Sequence, residues 1–316
     1  MSSNVSPVPT PGGDFMAEGE PGQELAVEQV SDAETPDQWW QVIWSAKKAR
    51  IGIIILAVYV LVAIFAPIIA PHDPNDGSFE PLAGASSANW LGTTTTGQDI
   101  ASQLIYGSRI SLLVGLFGGL FATIIATIIG LISGYAEGSI LDDGLSFVTN
   151  VFLVIPVFPL IITLVAYSEV RGLWLIVGVV SITSWAGAAR AKRAQIITLR
   201  NRDFVTAAKF SGEGSWRIIF REIMPNMSSL VLASFVGAAT GAIAAEASLA
   251  ALGLGDSRSV SWGTMLYQSN AQGAIAQGLW LWVAAPALAL AVLTTASIFI
   301  NFGVDLLSNP HLREDA

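Results

Sequence analysis

Hydrophobic residues along this chain come in long blocks rather than in short alternating or helical stripes. Each block is close to the ~20 residues that a helix needs to cross the ~30 Å hydrocarbon core of a bilayer. Six blocks are predicted to span the membrane, at residues 51–70, 110–133, 145–166, 173–189, 228–252 and 280–302. Pro156 and Pro159 fall inside the third block and predict a kink there, because proline cannot donate a helical hydrogen bond. The pattern therefore predicts an all-α, polytopic membrane protein.

A polar segment, residues 190–226, separates the fourth block from the fifth. It carries eight of the chain's fifteen Lys and Arg residues, each of which would cost about 2.5–3.5 kcal/mol at the bilayer centre. With the N-terminus in the cytoplasm, twelve of the fifteen basic residues lie on the inner side, as the positive-inside rule requires. We therefore expect both termini and residues 190–226 to be cytoplasmic, and the polar loop 71–109 to be external.

The composition supports this class and argues against others. The chain is 53% hydrophobic and only 12% charged. Residues 1–45 hold eight acids and no Lys or Arg, which predicts a disordered, acidic cytoplasmic tail. Because the basic residues follow the topology instead of forming a groove, nucleic acid is not an expected partner. There is no cysteine, and His72 and His311 lie far apart in the sequence, so no metal site is expected.

Residues that could carry chemistry are few. There is no G-x-x-x-x-G-K-[ST] phosphate loop, so the chain should not bind ATP alone, and no catalytic set is recognisable. Asp142 and Asp143 are interpreted as solvated turn residues in preference to an acid/base pair. For Glu246, near the outer end of the fifth block, an interfacial or helix-packing role is favoured over a place on a solute path. The scarcity of ionisable residues inside the blocks argues against a self-sufficient ion-driven carrier.

Small residues recur at four-residue intervals in two of the blocks. The fifth block has five of them, Ser229, Ala233, Gly237, Gly241 and Ala245. The second block has the pairs Gly115–Gly119 and Gly130–Gly134 at the same spacing. Such stripes let another helix approach closely. Ordinary packing within one subunit is the favoured interpretation, with a subunit interface or a pore lining as the alternative.

The second half of the polar segment has a regular arrangement of small residues and a proline. Ala207 and Ala208 are good helix formers, and Gly212 can end their helix in a left-handed conformation. A second short helix is predicted at residues 216–223, before Pro225. Two short helices joined by a glycine corner would form a compact knob on the cytoplasmic face, with small residues that could enter a partner's cleft.

This arrangement resembles the EAA loop of ATP-binding-cassette importer permeases. In that loop Glu-Ala-Ala is followed by three residues and Gly, and then by nine residues, Ile, one residue and Leu-Pro. Here Thr206-Ala207-Ala208, Gly212 and Pro225 keep the same spacing. Thr206 replaces Glu, Glu222 replaces Ile and Met224 replaces Leu.

Other stretches resemble the second permease subunit of dipeptide, oligopeptide and nickel importers. They are the run Trp-Leu-Gly-Thr with Leu-Ile-Tyr-Gly-Ser-Arg-Ile-Ser-Leu at 90–112, Glu-Ala-Ser-Leu with Leu-Gly-Leu-Gly at 246–255, and the stretch 301–310. Thr94 and Gln98 stand where the signature has Asp and Arg. The resemblance covers about residues 46–312.

The resemblance implies a type I importer permease with a six-helix domain at residues 46–312. It implies a sister permease subunit, two ATPase subunits or domains that bind ATP and Mg²⁺, and an extracellular or periplasmic solute-binding protein, all assembled at the lipid of a bacterial cell membrane. The chain itself would need no cofactor and would not be an enzyme. Residues 190–226 would form the cytoplasmic coupling loop, with Thr206, Ala207, Ala208, Gly212 and Pro225 as its ATPase-coupling residues.

The same resemblance suggests what is imported. Di- and oligopeptides are the expected solutes, and nickel chelates or oligosaccharides are the alternatives. The external loops 71–109 and 253–279 are expected to contribute to docking the solute-binding protein. A self-sufficient secondary carrier or channel is the competing class.

Overall fold

The structure, a computed structural model, describes residues 43–256 and 258–308. The longer helices are α1 (Lys47–Ile64), α3 (Ile100–Tyr135), α4 (Ile140–Val154), α5 (Val157–Ala166), α6 (Leu173–Thr183), α7 (Ala186–Arg200), α11 (Ser228–Ala251), α12 (Trp262–Ala271) and α13 (Trp280–Ser308). The shorter ones are α2 (Ala66–Ile69), α8 (Asp203–Phe210), α9 (Ser215–Ile218) and α10 (Met224–Asn226), with a π-helix at Ile219–Ile223. Within the described residues, the β-type pairing found is an isolated bridge between Thr93 and Asp99.

Among these residues, three helices are long and apolar enough to cross a membrane: α3, α11 and α13. Two bent pairs, α4 with α5 and α6 with α7, pass the same test when each is taken as one span, which gives up to five. α1 has 18 residues but begins with Lys47, Lys48 and, soon after, Arg50, so its apolar part is shorter than a full span. The all-α membrane fold is confirmed, whereas the six-span count and the cytoplasmic termini stay predictions.

Each of the two bends lies at a short break between helices. The kink predicted in the third block is present: α4 ends at Val154, Pro156 precedes α5, and the two axes differ by 83°. α6 and α7 meet at 43° across Ser184 and Trp185. The helix continues past residue 189, the expected end of the fourth block, and α7 ends at Arg200. The first third of the polar segment is therefore a helix of the bundle rather than a loop.

α3 lies at the centre of the packing, against α11, α7 and α6. Glycines make this approach close: a Cβ atom placed on Gly119 would lie 2.7 Å from the Cα of Ala239 on α11. One placed on Gly130 would lie 2.8 Å from the Cβ of Lys192 on α7. Such contacts suit helices in lipid, where van der Waals packing replaces the hydrophobic driving force.

The loop before α3 is tightly folded although it has no regular element. Asp99 is buried and caps α3 by accepting hydrogen bonds from the backbone N–H and the hydroxyl of Ser102, at 2.8 and 2.6 Å. Asn89 donates to the other carboxylate oxygen at 3.0 Å. In the second predicted external loop, Trp262 of α12 is buried and donates from Nε1 to the carbonyl of Leu104 at 3.0 Å. The two loops are therefore both anchored on the same end of α3.

Candidate functional site

Residues 203–226, called the knob below, follow α7 and precede α11. α8 ends at Phe210, Ser211 caps it, and Gly212 adopts a left-handed φ of 78°, which the sequence predicted from the glycine. α9, the π-helix and α10 then follow without a break, so the second predicted helix is present but starts at Ser215 and includes a π-turn. Pro225 lies in the first turn of α10, directly after the π-helix.

An apolar inner face fixes the knob to the bundle. Val205, Ile218 and Ile223 are almost fully buried. They form one cluster with Leu131 of α3, Ile196 and Leu199 of α7, and Met227, which caps α11; Leu230 and Val231 of α11 pack against this cluster. The knob is therefore held by side chains from three helices of the bundle, and a force applied to it would reach all three.

The outer face of the knob exposes several large aromatic side chains. Phe210 is 88% exposed and Trp216 is 70% exposed. Trp216 stacks on the exposed Phe220 with ring centroids 5.9 Å apart. Large exposed aromatic groups next to one another indicate a surface that a partner covers.

The five residues assigned to the coupling loop divide between the two faces. Thr206, Ala207, Gly212 and Pro225 are exposed, whereas Ala208 is half-buried and packs on the inner cluster. The hydroxyl of Thr206 donates to the carbonyl of Arg202 at 3.2 Å, within its own helix. Thr206 therefore adds no charge to the outer face, where a Glu would.

Asp142 is a correction, because the sequence favoured a solvated turn residue. It is buried in the first turn of α4 and accepts from Nε and Nη2 of Arg193 on α7, at 2.8 and 2.7 Å. Ser133 of α3 donates to the same carboxylate at 2.6 Å. A bidentate, hydrogen-bonded pair of this kind is stronger than an ordinary ion pair. It ties α3, α4 and α7 together at one point, while the neighbouring Asp143 is exposed as expected.

A local signal could have placed Asp142 on a helix. Ser139 precedes it by three residues, and its side chain accepts from the backbone N–H of Asp142, which is a helix-start pattern. Its partner is 51 residues away in the sequence, and nothing local marks that pairing. The network was missed for this reason.

Glu246 lies inside the helix bundle. It is 2% exposed, and its Oε2 accepts from the hydroxyl of Ser111 on α3 at 3.4 Å. It is not among the residues that line the cavity described next. These contacts favour the helix-packing alternative for Glu246 over the solute path.

A cavity of about 510 Å³ lies along one face of α11. Its walls are mainly small or apolar, and the lining residues are Val157, Phe158, Ile161, Ser184, Ala188, Ser234, Gly237, Ala238, Gly241, Ala244, Ala245 and Ser248. Cβ atoms placed on Gly237 and Gly241 would meet nothing within 4 Å. The small residues on this face of α11 therefore border open space in this chain. Among the described residues, no group of three or more His, Asp or Glu side chains could hold a metal ion.

Family comparisons agree with this architecture. Residues 126–314 match the family model "Binding-protein-dependent transport system inner membrane component", and residues 37–84 match "N-terminal TM domain of oligopeptide transport permease C". The chain is 33% identical over 287 residues to the dipeptide transport system permease protein DppC of Haemophilus influenzae, covering 88% of this chain and 95% of that protein. It is 31% identical over 252 residues to the oligopeptide transport system permease protein OppC of Bacillus subtilis, covering 77% and 82%.

A solved structure shares the fold. It is an inward-facing conformation of the MetNI methionine ABC transporter, which matches 65% of this chain and 94% of its own with a TM-score of 0.50 at 18% identity. The apolar helices and the family place the chain in the bacterial inner membrane. The chain thus belongs to the family of binding-protein-dependent transport system inner membrane components, and it is a permease subunit of an ATP-binding-cassette importer rather than an enzyme.

Proposed function

We propose that this chain forms half of the translocation path of a peptide importer and that the knob connects it to an ATPase. The observation that carries the proposal is the two-faced knob. Its inner face is locked into α3, α7 and α11, and its outer face exposes aromatic and small residues. A partner that moves the outer face would move the helices that border the cavity.

Peptides are the proposed solutes because of the relatives. DppC of Haemophilus influenzae and OppC of Bacillus subtilis are a dipeptide and an oligopeptide permease protein, and each is matched over most of its length. The cavity walls suit such a solute, since serine hydroxyls can bond to peptide groups while the apolar remainder accepts varied side chains. Nickel chelates and oligosaccharides remain the alternatives to be tested by uptake.

In the proposed mechanism a sister permease completes the path and each permease subunit rests on one ATPase. The sequence has no phosphate loop, so ATP and Mg²⁺ would be bound by the ATPases. ATP binding would close the ATPases and move the two knobs, which switches the path between inward-open and outward-open. To change the ratio of two states from 1:99 to 99:1, ATP must favour one state by about 5.5 kcal/mol.

A solute-binding protein would deliver the peptide from outside. The two loops anchored on α3 are the proposed docking area, and Trp90, which is 56% exposed, is the largest apolar group on the first of them. A photo-crosslinker at Trp90 should capture the binding protein. Crosslinks to cytosolic proteins alone would contradict both this role and the predicted topology.

The coupling role can be tested with Ala207→Asp. Ala207 is exposed, so the subunit should still fold, but a carboxylate would enter an apolar interface without a partner. We expect ATPase capture to fall at least about 30-fold, equivalent to about 2 kcal/mol, with ATP-dependent uptake falling in parallel. Capture should be measured with purified ATPase on permease-containing membranes.

The matched control is Ala194→Asp. Ala194 is also exposed, beside Gln195 and Thr198 on the outer face of α7 and outside the knob. This variant should keep ATPase capture near the wild-type level. Equal losses in both variants, or none in Ala207→Asp, would contradict the coupling role. Uptake by the wild type without ATPase subunits would instead support a self-sufficient carrier.

A further inference from the structure

Lys192 is a buried cation that the coupling role does not use. It lies on α7 and is fully buried, and its stem passes Gly130 of α3. Its Nζ donates to the hydroxyl oxygen of Ser234 on α11 at 2.6 Å. That hydroxyl in turn donates to the carbonyl of Val231 at 2.8 Å. One of the three ammonium donors is therefore bonded to a side chain that lines the cavity.

No anion balances this charge within the described residues. Two other basic residues of α7 have carboxylate partners: Arg193 pairs with Asp142 and Arg200 with Glu137. In residues 43–256 and 258–308 no carboxylate lies within ion-pair distance of Lys192. A buried ammonium without a counter-charge is costly, and an ionisable group inside a membrane helix bundle is a candidate functional residue.

Lys192 does not line the cavity itself, but it lies beside one end of it. Ala188, which lines the cavity, precedes it by four residues and so lies one turn away on the same face of α7. On α11, Ser234 is the cavity residue closest in sequence to the knob, and Gly237 and Gly241 follow it at one-turn steps. The ammonium therefore stands behind the cavity wall at the end next to the knob.

We propose that Lys192 and Ser234 form a subsite for a carboxylate of the transported solute. This rests on the proposed function, and it specifies how a peptide would be held: the carboxylate at the knob end and the neutral backbone along the small residues of α11. None of the cavity-lining residues is acidic, so no side chain of the lining competes for the ammonium. Ser234 would keep the ammonium oriented until a carboxylate arrives.

The test is uptake of two peptides by reconstituted importer, trialanine and trialanine amide. Lys192→Met removes the charge and retains most of the stem volume. We expect it to lower uptake of the acid relative to the amide about tenfold, the effect of one charge-assisted hydrogen bond. Lys192→Arg should retain most of the preference, and Ser234→Ala should lose part of it. If the wild type imports no amide, Ala-Glu-Ala and Ala-Gln-Ala replace the pair.

The matched control is Lys47→Met, at an exposed lysine with the same substitution. It should leave the acid-to-amide ratio unchanged. A Lys192→Met variant with an unchanged ratio would overturn the subsite, whether its total uptake is normal or reduced. Loss of capture of the sister permease by Lys192→Met, with an unchanged ratio, would instead assign the missing anion to that subunit. Failure of the wild type to import any peptide would count against the proposed function itself.

Discussion

Glycines recur at four-residue spacing in both α3 and α11, but their surroundings differ. On α3, a Cβ atom would come closer than 3.0 Å to a neighbouring helix at each of Gly115, Gly119, Gly130 and Gly134. On α11, Gly237 and Gly241 would meet nothing within 4 Å. The same spacing therefore serves helix packing on α3 and leaves a cavity open on α11. Small-residue spacing indicates that a backbone can be approached, and only the neighbours show whether it is.

Gly119→Val is the most severe test of the close packing between α3 and α11. The new Cβ would lie 2.7 Å from the backbone N and Cα of Ala239, so α11 itself would have to move. We expect a loss of about 3 kcal/mol in the free energy of unfolding, seen as a lower melting temperature and less subunit in the membrane. Gly237→Val is the control and should retain a near-normal melting temperature. Equal losses would remove the distinction between the two helices.

A second test concerns how the packed helices are fastened at the end of α3. Asp142→Ala leaves the Arg193 guanidinium without its bidentate partner and Ser133 without its acceptor. Breaking a buried pair costs several kcal/mol, but the Arg193 side chain is 32% exposed, so solvent screening reduces the expected loss to about 2 kcal/mol. Thermal unfolding would measure it.

The neighbouring carboxylate provides the control for that test. Asp143→Ala should change the free energy of unfolding by less than about 0.5 kcal/mol, since Asp143 is exposed. A small effect of Asp142→Ala would mean that glycine packing alone holds α3 against α7. The contrast between α3 and α11 would then depend only on whether a neighbouring helix contacts the glycines.

Features with a local cause could be predicted from the sequence. The apolar blocks, the break at Pro156 and the corner at Gly212 follow from bilayer thickness, the missing proline N–H and the left-handed preference of glycine. The family was also evident in short motifs. The number of membrane spans was harder to predict from the sequence. α7 continues beyond residue 190, where the sequence becomes polar, and α1 begins with basic residues.

Features that depend on distant neighbours could not be predicted. Lys192 and Arg193 look alike in the sequence as basic residues that lipid excludes. One reaches a hydroxyl on α11 and the other a carboxylate on α4. Their difference arises from the 100° step between adjacent residues of a helix, combined with the tertiary arrangement around α7. The division of the knob into an anchored and an exposed face has the same origin.

Gly241→Ala is the mildest test of the α11 face that borders the cavity. Gly119→Ala is the same substitution on α3. Because a methyl group at Gly241 meets nothing, the variant should gain about 0.5 kcal/mol from reduced backbone freedom, while Gly119→Ala should lose about 1 kcal/mol or more. Both melting temperatures should be measured on the subunit alone and on the assembled importer. If Gly241→Ala raises the melting temperature of the isolated subunit but lowers that of the assembled importer, the sister subunit packs on Gly241. This face of α11 would then be a subunit interface. A gain in both would mean that the cavity stays open in the assembled importer, as a solute path requires.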